Sequence, residues 1–308
     1  MLDLGRRSYE STRPLPAPEA PLARRPIPRT EEAAPSAVVT AARRLNRAAG
    51  TIAASVLIDS AMEHYRGNFH NKAMWTPLVT SALSLAVSVH GLSDERHGAH
   101  PVRDVVYACA GLVGLVGTGF HIYNVTKKVG GFNWQNVFYS APLGAPAAMS
   151  LSGLMGFLAE RVRDNQPEGE PRVFGRPAGR IVAATTAMSL LGTTAEAGLL
   201  HFRGAFHNPA MLLPVTMPPL AAALLGQAAV GDAAKDRIAS RRWLAATAAM
   251  GVAGVMFHAY GVSRGNGGWR NWSQNAFAGP PLPAPPSFTG LALAGLAALA
   301  LLKEHARD

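Results

Sequence analysis

The chain has 308 residues, 48% of them apolar and 16% charged, whereas a soluble domain carries roughly 25% charged residues. Its apolar residues come in long blocks, which excludes a disordered chain and argues against a water-soluble globule. The net charge of +10 would suit a nucleic-acid binder, but nine arginines precede residue 48 and most other basic residues fill short polar breaks between apolar blocks. That is how a membrane protein distributes charge, so a lipid bilayer and not nucleic acid is the expected partner.

Residues 1–36 hold seven prolines and six arginines with no apolar run. They read as a disordered, uncleaved cytoplasmic tail, because a signal peptide needs an apolar core of about 7–15 residues. Eight apolar blocks follow, at about 48–63, 74–92, 102–125, 141–159, 180–200, 210–230, 243–261 and 286–302. Several have the length that a hydrocarbon core of about 30 Å demands. The first block is the weakest, since Arg47 and Asp59 shorten its clean stretch, and it is expected to extend back to Ala37. Gly111, Gly114 and Gly117 form one stripe suited to close helix packing in lipid. No ten-residue stretch alternates with period two, so membrane strands are not expected. Eight spans place both termini on one side. That side carries 22 Lys and Arg residues and the other carries seven, which puts the termini in the cytoplasm and the chain in the inner membrane.

The strongest signal is a tandem repeat. Shifted by 137 residues, His64-Tyr65-Arg66-Gly67-Asn68-Phe69-His70-Asn71 falls on His201-Phe202-Arg203-Gly204-Ala205-Phe206-His207-Asn208, and nine of the fourteen residues from 64 to 77 are identical. Phe120-His121-Ile122-Tyr123 falls on Phe257-His258-Ala259-Tyr260, and Gly130-Gly131 on Gly267-Gly268. After two single insertions, Asn133-Trp134 and Gln135-Asn136 meet Asn271-Trp272 and Gln274-Asn275, and Pro142 and Pro146 meet Pro281 and Pro285. The expected fold is therefore an all-α integral membrane protein whose eight transmembrane helices form two parallel four-helix repeats, 37–160 and 180–305. A cytoplasmic linker over 161–179 joins them.

The repeat also filters residues, since what both copies keep is mostly polar and gathers on the side opposite the termini. Each half offers three histidines, His64, His70 and His121, then His201, His207 and His258. Neutral imidazoles from two helices can ligate a haem iron axially or, with a third, a divalent metal, so His64, His121, His201 and His258 are the candidate metal ligands. Arg66, Arg203, Trp134 and Trp272 join the six histidines as candidate cofactor contacts. The aligned carboxylates Asp59 and Glu196 lie two turns before Arg66 and Arg203, their expected ion-pair partners, and are candidates for a proton relay. The same residues also suit plain structural work: Gly67 and Gly204 as helix stops, Asn71 and Asn208 as caps, and the Asp–Arg pairs as charge neutralisation. His90, His97, His100 and His305 have no histidine counterpart and are set aside. Cys109, alone, excludes an intramolecular disulfide, a Cys-ligated metal site and a c-type haem attachment.

Paired histidines in a small helical bundle resemble membrane b-type cytochrome subunits as a general type. The long separation of two ligands on one helix, which stacks two haems across a bilayer, is absent here. The expected function is a membrane subunit of an oxidoreductase that anchors a soluble periplasm-side redox partner and handles a quinone or haem b. A non-catalytic anchor or a small-solute or ion transporter are the alternatives. Against transport, the polar residues gather at one face.

Overall fold

The computed structural model describes residues 36–140, 142–167, 169–231 and 237–304. The expected tail thus lies outside the described residues except for Ser36, whose hydroxyl accepts the Val39 N–H and caps the first helix. The chain is all-α and 79% helical. Its long helices are α1 (Ala37–Arg66), α2 (Thr76–Ser93), α3 (Pro101–Thr126), α5 (Gly144–Arg163), α6 (Ala178–Arg203), α7 (Leu213–Val230), α8 (Ile238–Ser263) and α10 (Pro286–Glu304). Two short helices, α4 (Trp134–Tyr139) and α9 (Trp272–Ala278), precede α5 and α10, and a two-residue hairpin, Arg172–Val173 with Arg176–Pro177, precedes α6.

The first helix does begin at Ala37, as its weak apolar block required. At 30 residues it is about 45 Å long. Among the described residues five stretches, ending in α2, α3, α7, α8 and α10, are long and apolar enough to cross a membrane, and the protein is membrane-embedded. The remaining long helices, α1, α5 and α6, are more polar for a packing reason. Helix α1 packs along α2, α5 and α10, while α10 also contacts α6 and α8. A helix enclosed by others can carry Asn46, Ser55 and Ser60 inside, all buried here, because its partners and not lipid meet those groups. The outer helices show the opposite face. Leu112 and Leu115 on α3 and Val252 and Met256 on α8 are more than half exposed, apolar surface that water would penalise and lipid accepts.

Small residues set the helix spacing. A Cβ on Gly114 would meet the Ser150 backbone nitrogen at 2.4 Å, and one on Gly251 the Pro285 carbonyl oxygen at 2.8 Å, so α3 lies against α5 and α8 against α10 at backbone distance. A Cβ on Gly290 would sit 2.9 Å from the Ala48 carbonyl oxygen, which brings α10 onto α1. The expected stripe is only partly used. Gly114 and Gly117 face α5, whereas a Cβ on Gly111 meets nothing within 4 Å. Gly111 instead receives α5 on its backbone, 2.3 Å from where a Cβ of Gly153 would lie.

These distances separate two glycines three residues apart. Gly114→Val should force α3 from α5 and cost about 1–3 kcal/mol, seen as a lowered melting temperature in detergent. Gly111→Ala should be neutral or slightly stabilising, since its new methyl points into open space. Equal melting temperatures for the two variants would show that the α3–α5 contact does not limit stability.

Candidate functional site

The repeated histidines gather at the end of the molecule where α1 and α3 finish. His64 lies in the last turn of α1, and its Nδ1 donates to the Met74 carbonyl at 2.6 Å. The same bond recurs from His201 Nδ1 to Met211 O at 2.8 Å. His121, near the end of α3, donates from Nδ1 to Pro142 O at 2.6 Å, and His258 to Pro281 O at 2.6 Å. His70 and His207 donate to Gly67 O and Gly204 O, each at 2.9 Å. Since a carbonyl can only accept, each Nδ1 carries a proton, which leaves Nε2 as the atom with the lone pair in the neutral form of the ring. His64 lies within electrostatic range of His121 and His70, and His258 of His201.

The turn after α1 is held by strain as well as hydrogen bonds. Gly67 ends the helix but keeps φ at −81°, and the left-handed residues are Asn68 and Phe69, at 56° and 44°. Ala205 and Phe206 repeat this at 55° and 47°. A bulky residue in that region costs free energy, so the surroundings must hold it. Phe69 stacks on Trp75 with ring centres 4.3 Å apart, and its N–H donates to His64 O. Gly67 also leaves room for Met74, since a Cβ there would lie 3.0 Å from the Met74 methyl group. Asn71 and Asn208 cap short 3-10 turns through the Ala73 and Ala210 N–H groups. In the second loop, Gly130, Gly131, Gly267 and Gly268 all have positive φ. Asn136 ties that loop to Val129 O and Gly131 O, as Asn275 does to Asn266 O and Gly268 O. Trp134 and Trp272 open α4 and α9 and are well exposed.

Two expectations need correction. Among the described residues no three His, Cys, Asp or Glu side chains could hold one metal ion, because His70 and His207 turn back onto their own loops. The three-ligand divalent site is not formed, and pairs remain. Asp59 does not pair with Arg66, whose guanidinium binds Glu63 at 2.7 Å, one turn away instead of two. Arg203 lies over the rings of Phe138 and Tyr139, at 5.7 and 5.8 Å. Glu196 instead lies against Gly144 at the start of α5, where a Cβ would fall 2.5 Å from the Glu196 Cγ. The two carboxylates lie within electrostatic range of each other.

The opposite end holds a network that the comparison of repeats discards. Arg103 is 1% exposed and lies between Glu160 and Asp94, 0% and 6% exposed, at 2.8 and 2.7 Å. Its Nη1 also lies 3.3 Å from His90 Nδ1, and the His90 and His100 rings are 5.2 Å apart. Arg163 donates to Gly91 O, Asp94 O and Arg96 O. Tyr107 donates to Asn46 Oδ1 at 2.6 Å and meets the Ser88 hydroxyl at 3.0 Å. In the repeat register Asn46, Ser88, Tyr107, Glu160 and Arg163 become Ala183, Leu225, Leu244, Leu299 and Leu302, all buried, while Arg103 becomes Ser240 and Asp94 becomes Gly231. The signal that could have found the network is charge inside otherwise apolar helices, at Arg103 and Glu160.

Comparison with protein-family models, curated proteins and solved structures finds no match to this chain.

The ionic end has a pH consequence. Burial alone would raise the Asp94 carboxyl, but hydrogen bonds from Arg96 and Arg103 outweigh it and hold Asp94 well below the usual carboxylate range. A depressed folded-state pKa stabilises fully above the unfolded value of about 4 and loses that contribution as the pH falls. Melting temperatures should therefore drop on acidification below about pH 4. Asp94→Asn should lower stability at neutral pH and flatten this acid limb. A variant curve parallel to that of the parent would exclude Asp94 as its source.

Proposed function

We propose that this chain is the multi-pass membrane subunit of an oxidoreductase complex, handling a quinone or haem b at its histidine end. In this reading all eight long helices cross the inner membrane as two parallel four-helix repeats. The more polar α1, α5 and α6 cross because they pack beside apolar spans that shield them from lipid. The excess of basic residues puts both termini in the cytoplasm, and the histidine end then faces the periplasm.

The observation that carries the proposal is the shared state of six histidines. Each Nδ1–H is taken by a backbone carbonyl, in both halves. This is the outer-shell bond that fixes the tautomer of a ligating histidine and raises its basicity. It leaves Nε2 of His64, His121, His201 and His258 as the ligating nitrogen, on two helices in each half. A bound haem b would supply one-electron transfer there. Asp59 and Glu196, near the same end, would take up or release the protons that quinone chemistry requires. The exposed Trp134, Trp272, Trp269 and Phe132 around that end suit either the headgroup layer or a soluble redox subunit seated on it.

A second reading, an anchor without cofactor, is favoured by one specific feature. Every one of these histidine bonds also closes a turn or loop, which is sufficient structural work by itself. The absorption spectrum of detergent-purified protein, reduced minus oxidised, separates the two. The redox reading expects a haem b band that is lost in a His121→Ala, His258→Ala double variant of unchanged melting temperature. A flat difference spectrum from protein purified with its native partners would favour the anchor.

Topology has its own test. Reporter fusions at residues 130 and 168 should report opposite sides of the membrane, with 168 cytoplasmic. Reports from the same side would refute the eight-span arrangement.

A further inference from the structure

The two halves differ at one place where a ring is present in one and missing from the other. Where α6 ends against α4, Phe202 meets Phe138 edge-on at 5.8 Å, and the Arg203 guanidinium lies 5.8 Å over the Tyr139 ring. In the repeat register Tyr65 and Phe277 take the places of Phe202 and Phe138, and stack at 5.2 Å. Arg66 takes the place of Arg203. Tyr139, however, is replaced by Ala278. The loop bonds on either side are the same: Ser140 N to Asn136 O in one half and Gly279 N to Asn275 O in the other. The backbone therefore follows one path, and only the ring is gone. In its place is an open surface depression of about 430 Å³, lined by Tyr65, Arg66, Asn68, Gln274, Phe277 and Ala278.

We propose that this depression binds the head ring of a membrane-dissolved quinone, with Tyr139 showing, in the other half, the pose of a six-membered ring against the arginine. The inference rests on the redox reading above only for the choice of quinone among ring-shaped ligands. The size fits, since small-molecule sites begin at about 300 Å³. The lining fits as well. Tyr65 and Phe277 offer aromatic faces, and Arg66, Asn68 and Gln274 offer N–H donors to the two carbonyl oxygens that a quinone carries. The charge points the same way. Arg66 is already paired with Glu63 at 2.7 Å, so the lining has no net positive charge to hold a phosphate, and a neutral ring is preferred. The corresponding residue in the filled site is Leu200, which leaves Arg203 free to cover Tyr139. The acid at Glu63 and the alanine at Ala278 thus occur in the same copy: one parks the arginine and the other empties the ring position.

The test is equilibrium dialysis of the detergent-solubilised full chain against a decyl-benzoquinone, with empty micelles as the blank. One equivalent per chain is expected above the blank. Ala278→Tyr, which copies a residue already accommodated at the matching position, should weaken binding about tenfold or more with an unchanged melting curve, while Ala278→Ser should bind as the parent does. Tyr139→Ala should add a second equivalent, and this variant carries the test should Ala278→Tyr fail to fold. Parent-like binding by folded Ala278→Tyr overturns the proposal, as does uptake no greater than that of the micelles or displacement by phosphatidylglycerol. These outcomes are independent of the haem difference spectrum. A haem band with no quinone uptake removes this site and leaves the redox reading, whereas uptake without a haem band leaves this site and removes the haem.

Discussion

Everything in this molecule depends on how closely its helices approach around α1. Lipid tails are as apolar as a leucine side chain, so burying leucines brings helices together less effectively in a bilayer than in water. What remains is van der Waals contact and hydrogen bonding, both of which need backbones near each other. The buried face of α1 accordingly runs through Ala41, Ala42, Ala48, Ala49, Gly50 and Ala53. A Cβ on Gly50 would lie 2.9 Å from that of Ser88 on α2, and one on Gly290 of α10 2.6 Å from the Ile52 side chain. The counterpart of Gly290 is Leu151, and there the matching pair, α5 with α6, touches only lightly. One glycine thus accounts for α1 being enclosed where α6 is not.

That enclosure explains where polar residues are tolerated. Asn46, Ser84, Ser88, Tyr107 and Ser152 satisfy one another between α1, α2, α3 and α5. Each bond makes sense only with its partner present, because a lone hydroxyl or amide in hydrocarbon is costly. The ionic cluster around Arg103 extends the same logic to full charges. Arg103 shares a dry site with Glu160 and Asp94, and removing it would leave the Glu160 carboxylate buried without an ion-pair partner. In the other copy Leu299 and Leu302 stand for Glu160 and Arg163, and Ser240 and Gly231 for Arg103 and Asp94. The two solutions sit in one chain, which argues that the network was not needed for packing alone and serves to fix the loop between α2 and α3 on the end of α5.

The sequence carried most of the architecture and much of the histidine end. The long apolar blocks announced helices, the extension to Ala37 followed from the short clean stretch before Asp59, and the internal repeat singled out the six histidines that turned out to share one kind of bond. Three things were not legible. The length rule for spans could not say that α1 would be enclosed, because enclosure is a property of neighbours. The i, i+7 spacing of Asp59 and Arg66 suggested a pair, but Glu63 is one turn closer, and the shorter reach won. Filtering by repeat also discarded what differs between copies. It therefore passed over His90 and Arg103 and the exchange of Tyr139 for Ala278.

Difference between copies is informative for the carboxylates too. Glu196 lies beside Gly144, the first residue of α5, where unpaired amides and the helix dipole both favour a negative charge. The residue matching Gly144 is Pro283, which has no N–H to give, and its carbonyl is taken by the Ser55 hydroxyl, one turn before Asp59. Asp59 is left with no ion pair or hydrogen bond among the described residues, and with Glu63 and Glu196 as its nearest charges. The two acids have different surroundings: Glu196 lies against the first residue of α5, and Asp59 has only other carboxylates as its nearest charges. Within the proposed relay, exchange then runs through Asp59, beside a histidine pair whose Nε2 atoms are free to accept, while Glu196 keeps the register of the helices around it.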